Sequence, residues 1–149
     1  MSKYLKASIT IVLVLCWMGV IFYMSSQPAT QSSELSRGVT ANIIEIVERV
    51  MPDLNIQVGD IHKAVRKSAH FFVFLVLGIL VINMLKICGV IGIKGIIFTL
   101  LICIMIAIAD EVYQLYVPGR SGEVSDVIID TAGALVGILI YSAFRKRRD

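Results

Sequence analysis

Residues 89–109 read GVIGIKGIIFTLLICIMIAIA, a run of 21 positions whose one charge, Lys94, sits near its start. A helix that crosses a bilayer needs roughly 20 predominantly apolar residues, so this stretch predicts a transmembrane span. The apolar pattern persists past Ala109 to about residue 116, where Pro118-Gly119 breaks it. Working outward, three further stretches read the same way: Ala7–Met24, Ala69–Leu85 and Val127–Phe144. The chain is 57% hydrophobic, against roughly 45–50% in soluble domains, and its mean hydropathy is +0.84. The expectation is an all-α, four-helix membrane bundle formed by a single domain over residues 1–149, with spans at about 7–24, 69–85, 89–116 and 127–144.

The first stretch follows Lys3 and Lys6, as a signal peptide would. Its apolar run exceeds the usual ~7–15 residues and no small-x-small cleavage site follows, so it is read as a retained span. Cys16, Cys88 and Cys103 all lie in or beside spans. An odd number of thiols in hydrocarbon argues against a disulfide framework and against a thiolate metal motif; they read as small packing residues.

Orientation follows the bias of Lys and Arg toward the cytoplasm. With the N-terminus inside, the inner segments hold eight basic residues, Lys3, Lys6, Lys86, Lys94, Arg145, Lys146, Arg147 and Arg148, against six spread over much longer outer segments. Both termini are therefore expected in the cytoplasm. Ten of the eleven acids fall on the outer side, which is where polar chemistry is expected. The outer segment between spans one and two carries Val39, Ile43, Ile46, Val47 and Val50 at helical spacing. This predicts an amphipathic helix, either lying on the outer membrane surface or packed as a lid on the bundle.

Polar side chains crowd the outer ends of all four spans. Span one contributes Ser25, Ser26 and Gln27; span two Arg66, Lys67 and His70; span three Asp110, Glu111, Gln114 and, past the break, Arg120; span four Asp126 and Asp130. Ionisable groups at membrane depth face the bundle and pair with one another. On span four, Asp126, Asp130, Gly133 and Gly137 recur at spacings of four, three and four, one helix face. Gly133 and Gly137 form a G-x-x-x-G pair that admits close helix approach. Arg120 is expected to fold back and pair with Asp126 or with an acid of span three. A divalent cation among Asp110, Glu111, Asp126 and Asp130 is chemically possible, but pairing with Arg66, Lys67 and Arg120 is simpler. No metal or cofactor is therefore expected, and nothing points to nucleic acid.

The runs Ser25-Ser26-Gln27-Pro28, Arg66-Lys67-Ser68-Ala69-His70-Phe71 and Asp110 to Arg120 (DEVYQLYVPGR), with the stretch Asp126 to Gly133 (DVIIDTAG), resemble the signatures of VanZ-like membrane proteins. Tyr113 and Val73 stand where many members carry His and Glu, which weakens any scheme built on a second histidine or an extra carboxylate. The resemblance implies a protein of the Gram-positive bacterial cytoplasmic membrane associated with resistance to the glycopeptide teicoplanin. Two functional expectations follow. The favoured one is a non-enzymatic protein whose twelve polar residues named above bind a lipid-linked cell-wall precursor, a lipid headgroup or a lipid-tailed glycopeptide at the outer leaflet. The alternative is a membrane enzyme acting on a lipid-linked phosphate or sugar, with His70, Asp110 and Glu111 as candidate catalytic groups. Transport ranks last, because the inner halves of the spans hold no polar path. The sequence leaves the oligomeric state open.

Overall fold

The computed structural model describes residues 2–28 and 58–146. Among these residues are four helices: α1 (Lys3–Ser26), α2 (Val58–Ile87), α3 (Gly92–Gln114) and α4 (Val124–Lys146). All four are long and apolar enough to cross a membrane. A helix of 23 residues, the length of α3 and α4, reaches about 35 Å at 1.5 Å per residue, enough for a hydrocarbon core of ~30 Å. The amphipathic segment expected at 39–51 lies outside the described residues.

Local chemistry sets the helix ends. Ser2 caps α1, its Oγ accepting from the Leu5 amide at 3.2 Å. The α2–α3 turn passes through Gly89 at φ 98°, a conformation that costs glycine little. That turn delays α3 until Gly92, three residues later than the apolar run suggests. At its other end α3 stops at Gln114, short of the expected 116. The amides of Leu115, Tyr116 and Val117 reach back only three residues, to Val112, Tyr113 and Gln114, so the chain tightens into 3₁₀-type turns. A type II turn follows: Arg120 N donates to Val117 O at 3.1 Å, with Pro118 in its second place and Gly119 at φ 76° in its third.

Cross-helix contacts fix the helix directions. His70 of α2 meets Asp130 of α4, and thirteen residues further along α2 Asn83 accepts from Tyr141 of α4 at 2.9 Å. These two helices therefore run parallel. Ser25 meets Asp110, which joins the C-terminal ends of α1 and α3. Arg66, near the start of α2, meets Gln114 at the end of α3, so the two pairs are antiparallel. It follows that α1 begins and α4 ends at the end of the bundle away from the polar residues.

The closest helix pairing is α2 with α4, and glycine makes it possible. A Cβ at Gly133 would collide with the carbonyl oxygen of Phe71, and one at Gly137 with that of Leu75. From the other side, a Cβ at Gly78 would strike the backbone of Ala134. Hydrogen bonds and van der Waals contact, rather than water exclusion, hold helices together in lipid. Around this seam Phe74, Leu77 and Val81 of α2, Cys103, Ile106 and Ala107 of α3, Ala134 of α4 and Val14 and Ile21 of α1 form the core. The helix α1 packs on α2 and α3 but not on α4. Its Trp17 donates Nε1–H to Val73 O at 3.0 Å, which satisfies the indole in an apolar setting. Cys16, Cys88 and Cys103 are free, and Cys103 is fully buried as a core residue.

Candidate functional site

The buried face of α3 runs Gly95, Thr99, Cys103, Ile106, Ala107, Asp110, Gln114. Helical periodicity thus carries the apolar stripe directly into polar residues at one end. On α4 the stripe Asp126, Asp130, Ala134, Ile138 does the same. Burial of the acids is forced by register: they occupy the same faces as the core below them. Asp110, Gln114 and Asp130 are wholly inaccessible, and Asp126 and Glu111 nearly so. Asp126 also lies in the first turn of α4, where the helix dipole favours a negative charge.

At the centre sits a neutral residue, Gln114. Its Nε2 donates to Asp110 Oδ2 at 3.0 Å and to Glu111 Oε1 at 3.2 Å. Its Oε1 accepts from Arg66 at 3.0 Å and from Arg120 at 3.3 Å. The amide has one pole that only donates and one that only accepts, so it can face two carboxylates and two guanidiniums at once. Around it, Ser25 Oγ donates to Asp110 Oδ2 at 2.8 Å, and the Glu123 amide donates to Glu111 Oε2 at 2.8 Å. His70 Nδ1 approaches Asp130 Oδ1 to 3.3 Å, off the axis of a well-directed hydrogen bond.

The basic residues stand at the mouth. Arg66 and Lys67 keep about a third of their side chains exposed, at 32% and 36%, and reach Asp126 at 3.8 and 3.4 Å. Lys67 Nζ also donates to Ser125 Oγ at 3.0 Å and pairs with Glu123 at 3.5 Å. The Ser125 hydroxyl and the Lys67 charge hold the exposed Glu123 carboxyl below its ordinary range. Beside Lys67 opens a shallow groove of about 390 Å³ whose other walls are Ser68, Phe71, Phe72 and Ile129.

Ten of the twelve expected residues converge here: Ser25, Arg66, Lys67, His70, Asp110, Glu111, Gln114, Arg120, Asp126 and Asp130. Two do not bring their side chains. Ser26 Oγ donates to Tyr23 O of its own helix at 2.7 Å, and Gln27 Nε2 turns to the same carbonyl at 3.5 Å. Arg120 also departs from expectation, pairing directly with no acid among the described residues. Its Nε donates to Gln27 O at 3.0 Å and one terminal nitrogen to Met24 O at 3.3 Å. The turn at Pro118-Gly119 aims it at the last carbonyls of α1, which carry the negative end of the dipole. Burial first, and the Arg66 charge second, push its guanidinium below the ordinary arginine value. Sequence reasoning passed over Glu123 and Ser125. Their signal was position, since both sit at the start of α4 just before Asp126.

The geometry defines a multi-pass membrane protein whose polar residues gather at one end of a four-helix bundle instead of lining a path through it. The chain belongs to the VanZ/LLP1 family: the family model matches residues 10–145, from within α1 to within α4 and including every residue of the cluster. Neither the curated proteins nor the solved structures include a match to it.

Proposed function

We propose that this VanZ-like protein binds an anionic lipid headgroup, such as the phosphate of a lipid-linked cell-wall precursor, at the outer leaflet of the bacterial cytoplasmic membrane, and so lowers susceptibility to teicoplanin-type glycopeptides. One observation carries the reading: Lys67, which with the partly exposed Arg66 stands above the buried Asp126, lines the apolar groove of Phe71, Phe72 and Ile129. Cations suit phosphate oxygens, and an apolar wall beside them suits an acyl or prenyl chain. Asp126 holds both cations in place at the mouth. The sidedness rests on the Lys and Arg bias, which argues for both termini in the cytoplasm and the cluster outside.

Three measurements test this. Cysteines introduced at Asn55 and Gly122 should react with an impermeant thiol reagent on intact cells, while those at Gly92 and Asp149 should stay unlabelled. The reverse pattern would place the cluster in the cytoplasm and end the proposal. Purified protein should retain phosphate-bearing lipid in native mass spectrometry. Arg66→Gln/Lys67→Gln should cut that retention about tenfold or more, since each charged hydrogen bond contributes ~1.5–3 kcal/mol. Cells expressing the double variant at normal abundance should lose protection against teicoplanin.

A second reading draws on the His70–Asp130 pair. A carboxylate that orients an imidazole is the arrangement of a general acid–base, which supports an enzyme acting on a lipid-linked phosphate or sugar. Substitution of His70 separates the two: lost turnover with retained lipid binding favours the enzyme.

A further inference from the structure

The charges at the polar end do not balance by direct pairing. Four carboxylates, those of Asp110, Glu111, Asp126 and Asp130, are buried together. Of these four, only Asp126 meets a Lys or Arg among the described residues, at 3.4 and 3.8 Å. The strongest bonds of the cations go elsewhere: Arg66 to Gln114, Lys67 to Ser125, Arg120 to Gln114 and two backbone carbonyls. Asp130 is wholly buried, yet among the described residues neither of its carboxylate oxygens has a hydrogen-bond partner, and Asp110 Oδ1 has none either. Buried carboxylates left in this condition are costly.

A second observation points to what would offset that cost. His70, Glu111 and Asp126 come from three different helices, and each offers a ligand atom within 4.8 Å of the other two. Ligands at ~2.1 Å from a tetrahedral cation stand about 3.4 Å apart, so the three need close by little more than 1 Å. Glu111 is held by Gln114 and the Glu123 amide, one bond per oxygen, which leaves lone pairs on both. Asp130 Oδ1 sits against His70 Nδ1, as outer carboxylates do in carboxylate–histidine–metal arrangements. That leaves the other ring nitrogen, Nε2, as the ligand.

We propose that His70, Glu111 and Asp126 bind one divalent transition-metal cation, with Asp130 as a positioning residue for the imidazole. One nitrogen and two carboxylates suit Zn²⁺ or Mn²⁺ better than Ca²⁺ or Mg²⁺, and three protein ligands leave a position for water or a phosphate oxygen. The site does not depend on the headgroup reading, because the cation offsets buried charge whether or not lipid is bound. It replaces the expectation of charge neutralised by Arg and Lys alone.

The test uses tag-free, full-length protein in detergent, with Zn²⁺ and Mn²⁺ as probes. Equilibrium dialysis should give one Zn²⁺ per chain, and Mn²⁺ should compete for the same site only at large excess. Glu111→Gln, Asp126→Asn and His70→Ala should each weaken binding at least tenfold, and Asp130→Asn by about 10–100-fold. A Cys16→Ser/Cys88→Ser variant should bind as the parent does. Zinc-edge X-ray absorption should show one imidazole and otherwise oxygen. Because a site variant can fail to fold, the parent protein supplies an independent measurement: its melting temperature should rise with Zn²⁺ and fall back with a chelator. No stoichiometric uptake by folded parent protein, sulfur among the zinc neighbours, or full binding by a folded His70→Ala/Glu111→Gln/Asp126→Asn variant overturns the proposal.

Discussion

Gln114→Leu should cost the protein about 3–5 kcal/mol of stability, as much as breaking a buried ion pair. The substitution keeps the side chain near its original volume and removes four hydrogen bonds at once, two to carboxylates and two from guanidiniums. Asp110 would keep only the Ser25 hydroxyl, and Glu111 only the Glu123 amide. Each stranded polar group carries its full desolvation penalty. Thermal or denaturant unfolding in detergent reads the effect. Gln114→Glu is the informative companion, because it satisfies the two guanidiniums while adding a third negative charge beside Asp110 and Glu111. It should be destabilised as well, and more so as the pH rises. A loss under ~1 kcal/mol for Gln114→Leu would mean that water reaches the cluster and replaces the amide.

The other large effect should come from the glycine seam. Gly133→Val and Gly137→Val each drive a branched side chain into a backbone carbonyl of α2, at Phe71 and Leu75. No rotamer change relieves a clash with backbone, so α2 and α4 must separate. Overpacking in a tight core typically costs about 1–3 kcal/mol, and here the displacement also pulls His70 away from Asp130. We expect the double variant to lose its folded state in detergent and to fall in abundance in cells. Gly19, which meets nothing within 4 Å, is the control: Gly19→Val should leave melting behaviour unchanged. Equal behaviour of Gly19→Val and Gly133→Val would remove the seam from the account.

Much of this was readable from residue order. Apolar runs and their lengths located three of the helices to within a few residues, because hydrophobic length is what a bilayer constrains, whereas α2 begins eleven residues before its apolar run. The sharing of one face by Asp126, Asp130, Gly133 and Gly137 followed from helical geometry alone. Pairing across helices did not, since the register of one helix against another is set by packing that leaves no period in the sequence. Arg120 shows this best. Its charge suggested an acid as partner, whereas its position after a type II turn delivers it to α1's last carbonyls. Gln114 was visible as one polar residue among several. Its role at the centre emerges only when α2, α3 and the turn at Pro118 are brought together. Ser26 and Gln27 looked equivalent to Ser25, but only Ser25 falls on the side of α1 that faces α3.

The contribution of all four helices to one cluster bears on how the chain is made. Asp126 and Asp130 belong to the last helix, so they leave the ribosome after Asp110, Glu111 and Gln114. Until α4 arrives, His70 lacks its carboxylate neighbour, and Lys67 lacks both Ser125 and Asp126. The three-helix chain is then a biosynthetic intermediate with polar groups turned toward lipid and a bare α2 surface at Phe71 and Leu75. Such an exposed surface is what insertion factors shelter and membrane proteases recognise. A nascent chain truncated before Val124 is therefore expected to be cleared by membrane quality control, and its abundance against the full chain reads the effect.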